Sequence, residues 1–272
     1  MSSITRPGLE EAVAGIDLVR RAYYFETIDS TSDWAKALIE RSGGRGDFHG
    51  TLVFANHQTA GRGRQKRQWV SPPGKSLLFS LILDPAVLPV VAGDASSRLL
   101  AYAGPVAVCE TLRDAGIQAA TIKYPNDVLI SNRKVSGTLL ELISASGRGH
   151  YVLGVGLNVS QQPGDLPSNS IVPATSVALE TKSVCQPQLL LRGVLLHLER
   201  LLSGDSVGGL AARMNLLCDT IGKLAEIQTP AGVLSGTALR IEPDGGLVMR
   251  LDSGIQQTIY SGDVIHLTGG RS

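Results

Sequence analysis

The pattern of hydrophobic and polar residues divides the chain into two parts. Up to residue 218, short apolar runs typical of strands alternate with longer segments that have helical spacing. The pattern predicts helices beginning near Trp34 and over 95–112 and 189–202, and it predicts strands over 23–28, 51–55, 77–83, 120–122, 128–130, 134–143 and 151–159. This alternation predicts an α+β domain over residues 1–218.

After Cys218 the pattern changes to five short apolar runs separated by glycine-containing turns. The runs span 221–228, 233–241, 247–251, 256–260 and 264–267. Short strands at this spacing are typical of small β-barrels. The sequence therefore predicts a second, all-β domain over residues 219–272.

Composition and charge narrow the class of protein. Hydrophobic residues make up 43% of the 272 residues and charged residues 18%, which is typical of a folded chain. The net charge of +1 gives no overall attraction to DNA or membranes. Neither a signal peptide nor a membrane span is apparent, and Cys109, Cys185 and Cys218 lack zinc-site spacing. We therefore expect a cytoplasmic protein without DNA or membrane partners.

The first segment whose residues indicate a binding or catalytic function is residues 61–69, Gly-Arg-Gly-Arg-Gln-Lys-Arg-Gln-Trp. Glycine lets the backbone approach an anion closely, and arginine pairs with carboxylates and phosphates through two nitrogens. A solvated basic loop or a nucleic-acid patch would have a similar composition. The apolar runs on both sides favour a loop held over a binding site.

The second segment is Lys-Tyr-Pro-Asn-Asp, residues 123–127, followed by Arg-Lys-Val-Ser-Gly, residues 133–137. Pro125 disfavours helix at the residue before it, so Lys123 is expected at a strand end. Asn126 can bond a purine edge or a ribose, and Asp127 can hold a metal or fix a lysine. An ordinary hairpin with surface lysines is the alternative.

Glycines also interrupt an apolar strand in the segment Gly-Val-Gly-Leu-Asn, residues 154–158. Such glycines indicate that a ligand or another backbone approaches closely. The sequence Gly74-Lys75-Ser76 ends like a phosphate-binding P-loop, but Trp69 stands where that motif needs its first glycine. If a nucleotide binds to this chain, it therefore binds through another architecture.

Taken together, these segments resemble the biotin protein ligase family. The family pattern Gly-Arg-Gly-Arg-x-x-Arg-x-Trp is complete at 61–69, and its Lys-Trp-Pro-Asn-Asp stands at 123–127 with Tyr124 in place of Trp. Its Arg-Lys-x-x-Gly, Gly-x-Gly-x-Asn and Asp-Ser-Thr stand at 133–137, 154–158 and 29–31. The resemblance implies a mixed or antiparallel sheet with flanking helices, similar to class II synthetases, and a C-terminal SH3-like barrel.

The resemblance also implies a reaction. Such a ligase activates biotin with ATP and Mg²⁺ to biotinyl-5′-AMP and then transfers biotin to a lysine of a biotin carboxyl carrier domain. Family members often form homodimers, and some carry an N-terminal DNA-binding domain that makes them repressors. Only 22 residues precede Tyr23 here, so we expect a ligase without repressor function.

Matching positions imply site residues. Four are implied in catalysis: Lys134, Arg64, Lys123 and Asp127. Those implied in biotin binding are Ser30, Thr31, Gln58, Arg62, Gly63, Arg64, Lys134 and Gly137. Those implied in nucleotide binding are Arg64, Arg67, Trp69, Asn126 and Asn158. Mg²⁺ is expected on the phosphates, with Asp127 as its candidate protein ligand.

Three other readings stay open at this point. Lipoate or octanoate ligases share the lysine and glycine segments, but they lack the full pattern of 61–69. A non-catalytic biotin-binding module would use the same pocket. A nucleic-acid binder would use the cations of 62–67, and its binding would depend strongly on salt.

Overall fold

The computed structural model describes residues 3–88, 96–168, 172–181, 186–203, 207–229, 232–260 and 262–266. The helices are α1 Arg6–Val13, α2 Thr31–Arg41, α3 Ser96–Asp114, α4 Val177–Glu180, α5 Pro187–Leu202 and α6 Val207–Leu217. The strands before residue 219 are β1 Arg21–Ile28, β2 Thr51–Gln58, β3 Ser76–Leu83, β4 Ala120–Lys123, β5 Asp127–Ile130, β6 Arg133–Ala145 and β7 Arg148–Asn158. The later strands are β8 Leu224–Thr229, β9 Gly232–Ile241, β10 Leu247–Leu251, β11 Gln256–Ile259 and β12 Asp263–His266.

The first seven strands form one mixed sheet in the order β1-β2-β3-β7-β6-β5-β4. Helix α2 connects β1 to β2, and this crossover lets the two strands pair in parallel. The other neighbouring strands pair antiparallel. The expected α+β fold with a mixed sheet is confirmed.

Helices cover both faces of this sheet. On one face α3 and α5 pack against each other, and their apolar side chains, such as Val106 and Leu195, are fully buried with those of the strands. On the other face Ala35 and Ile39 of α2 pack against Val53, among others. Strand β3 is buried along its whole length, which explains its nearly continuous apolar sequence.

The last five strands form an antiparallel sheet in the order β11-β10-β9-β8-β12. This sheet is the all-β module expected at the C-terminal end, and its first strand begins at Leu224. The Tyr102 hydroxyl of α3 donates to the Gly245 carbonyl at 2.6 Å, and the Asn215 side chain of α6 bonds both backbone groups of Ile241 at 2.8 Å. The domain boundary at 219 stays a prediction.

The structure contains helices that the hydrophobic pattern did not predict. Helix α1 begins with Thr5, whose hydroxyl accepts from the Gly8 N–H at 3.2 Å, and it has a proline in its first turn. Helix α6 contains two adjacent glycines, which weaken a helical pattern.

The cysteines and the membrane-span prediction can also be compared with the structure. Cys109 and Cys218 are buried free thiols, while Cys185 and residues 267–272 lie outside the described residues. None of the described helices is long and apolar enough to cross a membrane.

Candidate active site

A cavity of about 520 Å³ lies where the loop after β2, the ends of β4 and β7 and the start of β6 come together. Every candidate residue from the sequence except Ser30 lines this cavity. Ser30 is 1% exposed, and its hydroxyl accepts from the Asp33 N–H at 3.3 Å as the N-cap of α2. The structure thus gives Ser30 a capping role and does not place it on the cavity wall.

The segment 61–69 folds as a small hairpin on the cavity wall. The Gly63 N–H donates to the Arg67 carbonyl at 2.8 Å, and the Trp69 N–H donates to the Gly61 carbonyl at 3.0 Å. A Cβ atom at Gly61 would lie 2.5 Å from the Trp69 carbonyl oxygen, so only glycine fits there. The backbone of the basic segment is therefore organised by its own hydrogen bonds.

The Trp69 indole packs on paired glycines of the sheet. Gly137 of β6 lies opposite Gly156 of β7, and a Cβ atom at Gly156 would lie 2.6 Å from an indole carbon. At Gly154 a Cβ atom would lie 2.9 Å from the Ser32 hydroxyl. The close approach expected at Gly154 and Gly156 is thus made by side chains of the chain itself, which corrects the expectation of a ligand or backbone.

Lys134 is fixed at the cavity through both its backbone and its side chain. Its N–H donates to the Pro173 carbonyl at 2.7 Å, and its carbonyl accepts from the Thr175 N–H at 2.8 Å. Its Nζ lies 2.6 Å from Asp127 Oδ1 and 5.9 Å from the centre of a Trp69 ring. Of the two functions open to Asp127, the structure shows the one that fixes a lysine.

Among the described residues that line the cavity, Asp127 carries the only carboxylate. The described part of the chain contains no cluster of three or more His, Cys, Asp or Glu residues able to hold a metal. The carboxylate of Asp127 is already paired with Lys134. Mg²⁺ on the phosphates of ATP, with Asp127 as its candidate protein ligand, stays a prediction.

Thr31 and Gln58 form a polar pair on the cavity wall. The Thr31 N–H donates to Gln58 Oε1 at 2.7 Å, and the Thr31 hydroxyl donates to the same oxygen at 3.0 Å. These residues lie 27 positions apart and meet because β1 and β2 pair in parallel, with Gln58 at the end of β2 opposite Ile28 at the end of β1. The pair faces the same cavity as Lys134.

Arg62 is anchored by acidic residues that the sequence did not single out. Its guanidinium bonds Asp33 Oδ1 at 2.5 Å and Glu141 Oε1 at 3.1 Å, and Lys36 lies between the two carboxylates at 2.8 and 3.2 Å. Burial alone would raise the pKa of Asp33, but the hydrogen bonds from Lys36 and Arg62 hold that pKa below its usual value. The hairpin is thereby tied to α2 and β6.

The two predicted nucleotide asparagines line the cavity while also bonding the protein. Asn126 Nδ2 donates to the Thr138 carbonyl at 2.6 Å. Asn158 is 6% exposed, its Nδ2 donates to the Thr175 carbonyl at 3.0 Å, and its Oδ1 accepts from Gln161 at 2.9 Å. Both side chains therefore hold the cavity wall in place, and their contact with a nucleotide stays a prediction.

Comparison with known proteins identifies the family. Residues 24–158 match the biotin/lipoate A/B protein ligase family, and residues 220–267 match the biotin protein ligase C terminal domain. The chain is 30% identical to the biotin–[acetyl-CoA-carboxylase] ligase of Mycobacterium tuberculosis over 271 residues, which cover 96% of this chain and 97% of that protein. The chain belongs to the biotin protein ligase family.

Other biotin protein ligases are similar in sequence and in fold. The chain is 33% identical to the bifunctional ligase/repressor BirA of Bacillus subtilis over 264 residues, which cover 95% of this chain and 77% of that protein. A solved biotin protein ligase from Aquifex aeolicus, in complex with biotin and ATP, superimposes with a TM-score of 0.74 and 24% identity, covering 92% of this chain and all of that one. The latter likeness shows the shared fold.

In this member of the family the C-terminal sheet also reaches the cavity, which the sequence did not indicate. Gln228 of β8 and Val264 of β12 line the cavity wall. Arg64 Nη2 donates to the Gly262 carbonyl at 3.2 Å, so the tip of the hairpin contacts this sheet.

Tyr124 also lines the cavity wall, and burial raises the pKa of its phenol. It supplies the aromatic wall expected where the family has Trp.

Proposed function

We propose that the chain is an ATP-dependent biotin–[biotin carboxyl carrier protein] ligase that makes biotinyl-5′-AMP and transfers biotin to a lysine of a carrier domain. The observation that carries this proposal is one cavity lined by both the Thr31–Gln58 pair and the cations Lys134, Lys123, Arg64 and Arg67. The family membership and the ligase relatives support the same activity.

In the first half-reaction a carboxylate oxygen of biotin attacks the α-phosphorus of ATP. A bond forms between that oxygen and phosphorus, and the bond to the bridging oxygen breaks, so that pyrophosphate leaves with the electron pair. Both reactants are anions, so fixed positive charge must offset their repulsion. Lys134, held by Asp127 and by its backbone bonds, is suited to lie beside the reacting groups. The Mg²⁺ of Mg–ATP would neutralise further phosphate charge.

In the second half-reaction the neutral amine of an acceptor lysine attacks the acyl carbonyl of the adenylate. An amide bond forms, AMP leaves, and the ammonium intermediate loses a proton. The mixed anhydride would hydrolyse in open water, so a covering loop preserves it. The hairpin 61–69, bonded to α2, β6 and the C-terminal sheet, provides that cover.

A lipoate or octanoate ligase is the alternative, since the name of the matching family includes lipoate as well as biotin. The match of residues 220–267 to the biotin protein ligase C terminal domain favours biotin. The absence of repressor function, the homodimer and the cytoplasmic location stay predictions.

Pyrophosphate exchange into ATP tests the proposal. We expect exchange with biotin and only background exchange with lipoate or with neither acid. Exchange with lipoate alone would assign the chain to the sister activity. No exchange despite biotin binding would favour the non-catalytic module.

A further inference from the structure

A chain of hydroxyl groups lies behind the Thr31–Gln58 pair. Ser80, on the fully buried strand β3, is 0% exposed, and its Oγ lies 2.8 Å from the Thr31 Oγ1. The Ser32 Oγ lies 2.9 Å from the same Ser80 oxygen. Three hydroxyls and one amide therefore form a continuous row with Ser80 buried in its middle, and both ends of the row, Ser32 and the Thr31–Gln58 pair, line the cavity.

The direction of every hydrogen bond in this row follows from the atoms that can donate. The Thr31 N–H bonds Gln58 Oε1, which fixes the oxygen side of the Gln58 amide toward Thr31. An amide oxygen only accepts, so the Thr31 hydroxyl must give its single proton to Gln58. Ser80 must then donate to Thr31, and Ser32 must donate to Ser80.

This order determines what the cavity wall offers to a ligand. Because Gln58 Oε1 is doubly occupied, the Gln58 Nε2 is the amide group left for the cavity, and none of the described side chains accepts from it. The Thr31 hydroxyl donates its hydrogen bond to Gln58, and its oxygen can still accept a hydrogen bond from a ligand. The wall thus presents an N–H donor beside an oxygen acceptor, which matches a cyclic urea or amide edge.

Gly154 leaves the space that the row requires. It lies opposite Ser80 in the pairing of β3 with β7, and a Cβ atom there would lie 2.9 Å from the Ser32 oxygen and 3.7 Å from the Ser80 oxygen. The hydroxyl row and the glycine are therefore parts of one arrangement.

We propose that Ser80 is a positioning residue for biotin selection, which acts by donating to the Thr31 hydroxyl and so holding the Thr31 side chain in the rotamer that meets both Gln58 and the cavity. The proposal rests on the proposed function, since it assigns the Thr31–Gln58 pair to the ureido ring of biotin. Without the hydrogen bond from Ser80, the Thr31 hydroxyl loses a partner that holds its rotamer, so its bond to Gln58 and its remaining lone pair are less well placed for the ligand.

The test compares Ser80→Ala with Ser136→Ala. Ser136 is equally buried in the same sheet and donates to the Gly156 carbonyl at 2.6 Å, outside the hydroxyl row. We expect Ser80→Ala to raise the KM for biotin about five- to tenfold, the range expected for loss of one buried hydrogen bond, with kcat and the KM for ATP changed less than about twofold. Ser136→Ala should leave the KM for biotin near that of the wild type.

A double-mutant cycle shows whether Ser80 acts through Thr31. In a Thr31→Val background, Ser80→Ala should change biotin affinity less than about twofold. The Ser80 hydroxyl then has no Thr31 oxygen to donate to, so its removal costs little further affinity. An equal effect in both backgrounds, an unchanged KM for biotin, or an equal rise in the KM for ATP would each overturn the proposal. If Ser80→Ala does not fold, Ser80→Cys, whose thiol is only a weak donor, replaces it, with an expected rise in the KM for biotin of about two- to fivefold.

Biotin affinity measured by calorimetry separates this proposal from the proposed function. If the wild type forms no adenylate, the ligase activity is wrong, and the biotin affinities of wild type and Ser80→Ala still decide the role of Ser80. If the wild type forms adenylate and Ser80→Ala matches it in biotin affinity, only the role of Ser80 is wrong.

Discussion

Lys134, the proposed catalytic lysine, is held in place by contacts of both its backbone and its side chain. Strand pairing with residues 173–175 holds its backbone, and Asp127 holds its ammonium group at 2.6 Å. Because these contacts exist before any anion arrives, little reorganisation is needed when the carboxylate and phosphate approach. The charge is thus in place for the first half-reaction.

Lys134→Ala should abolish adenylate formation while leaving biotin binding largely intact. The reason is that the lost charge acts on the carboxylate and α-phosphate as they react, and Asp127 would remain as an unpaired negative charge. We expect the rate of adenylate formation to fall about 10²- to 10³-fold, measured by quenched single-turnover assays.

The control is Lys223→Ala, which breaks a comparable lysine–aspartate pair with Asp219 away from the cavity. It should leave the rate unchanged. A wild-type rate in Lys134→Ala would remove Lys134 from the mechanism.

For single residues, the sequence predicted which side chains lie at the cavity, but it did not predict the hydrogen-bond partners of each one. The patterns around 61–69, 123–127 and 133–137 are local, so they could be read directly. The engagement of Asn158 by Thr175 and Gln161, and the capping role of Ser30, depend on neighbours in the folded chain. A sequence pattern does not contain those neighbours.

At the scale of elements, the hairpin 61–69 is held by ion pairs at its base. Arg62 bridges Asp33 of α2 and Glu141 of β6, and about 40% of the Arg62 side chain is exposed. Exposed pairs of this kind are weak and sensitive to salt. These ion pairs therefore hold the base of the hairpin only weakly, and salt should weaken them further.

Glu141→Gln should loosen the hairpin and release the adenylate faster. We expect the release rate to rise about two- to threefold at low salt, since an exposed ion pair contributes about 0.2–1 kcal/mol. The difference should shrink at about 1 M salt, where charges are screened within about 3 Å.

Release can be followed by trapping biotinyl-5′-AMP that leaves the enzyme. Asp47→Asn, which breaks the exposed pair with Arg20 elsewhere, is the matched control. Equal release rates in Glu141→Gln and in the control would show that the ion pairs of Arg62 do not hold the hairpin over the adenylate.

His197 links α5 to α3 through a charge that depends on pH. Its ring nitrogens lie 3.0 Å from Glu110 and 2.9 Å from Asp114, and these carboxylates hold the pKa of His197 above its usual value of 6.5. The folded state therefore binds the proton more tightly than the unfolded state. Its stabilising contribution is complete below pH 6.5 and is lost as the pH rises through the raised pKa.

The free energy of unfolding of wild type and His197→Gln tests this linkage. We expect the variant to be less stable by about 1 kcal/mol near pH 6, with a smaller difference near pH 9. Urea unfolding at both values measures it. A difference that is constant or that grows with pH would contradict the assignment.

Most helices and strands were predictable because their hydrophobic residues recur with a clear helical or strand period. The amphipathic pattern of 189–202 appears as α5, and the alternating apolar runs appear as β6 and β7. Helices α1 and α6 were missed because a proline, glycines and few periodic apolar positions obscure them. Tertiary packing against α5 and α3 stabilises them instead.

At the scale of the whole molecule, the C-terminal sheet is joined to the first domain close to the cavity. Tyr102 of α3 donates to Gly245, and Arg64 of the hairpin donates to Gly262. These partners are 143 and 198 residues apart in sequence. No local pattern indicates such contacts, so the sequence predicted the sheet but not its place beside the site.

Tyr102→Phe should weaken this connection without changing the apolar packing of the ring. The buried Gly245 carbonyl would lose its hydrogen bond, and we expect the free energy of unfolding to fall by about 1–2 kcal/mol. Tyr23→Phe, on the edge strand β1, is the control in the same urea unfolding experiment. An unchanged stability in Tyr102→Phe would show that the bond contributes nothing to the docking of the sheet.

The most direct test of the account is the intact mass of a biotin carboxyl carrier domain incubated with the protein, biotin and Mg–ATP. We predict the addition of one biotinyl group at a single lysine, with no addition when ATP or biotin is omitted or when lipoate replaces biotin. An unmodified carrier domain under the complete conditions, or modification by lipoate alone, would contradict the assignment of this cavity to biotin ligation.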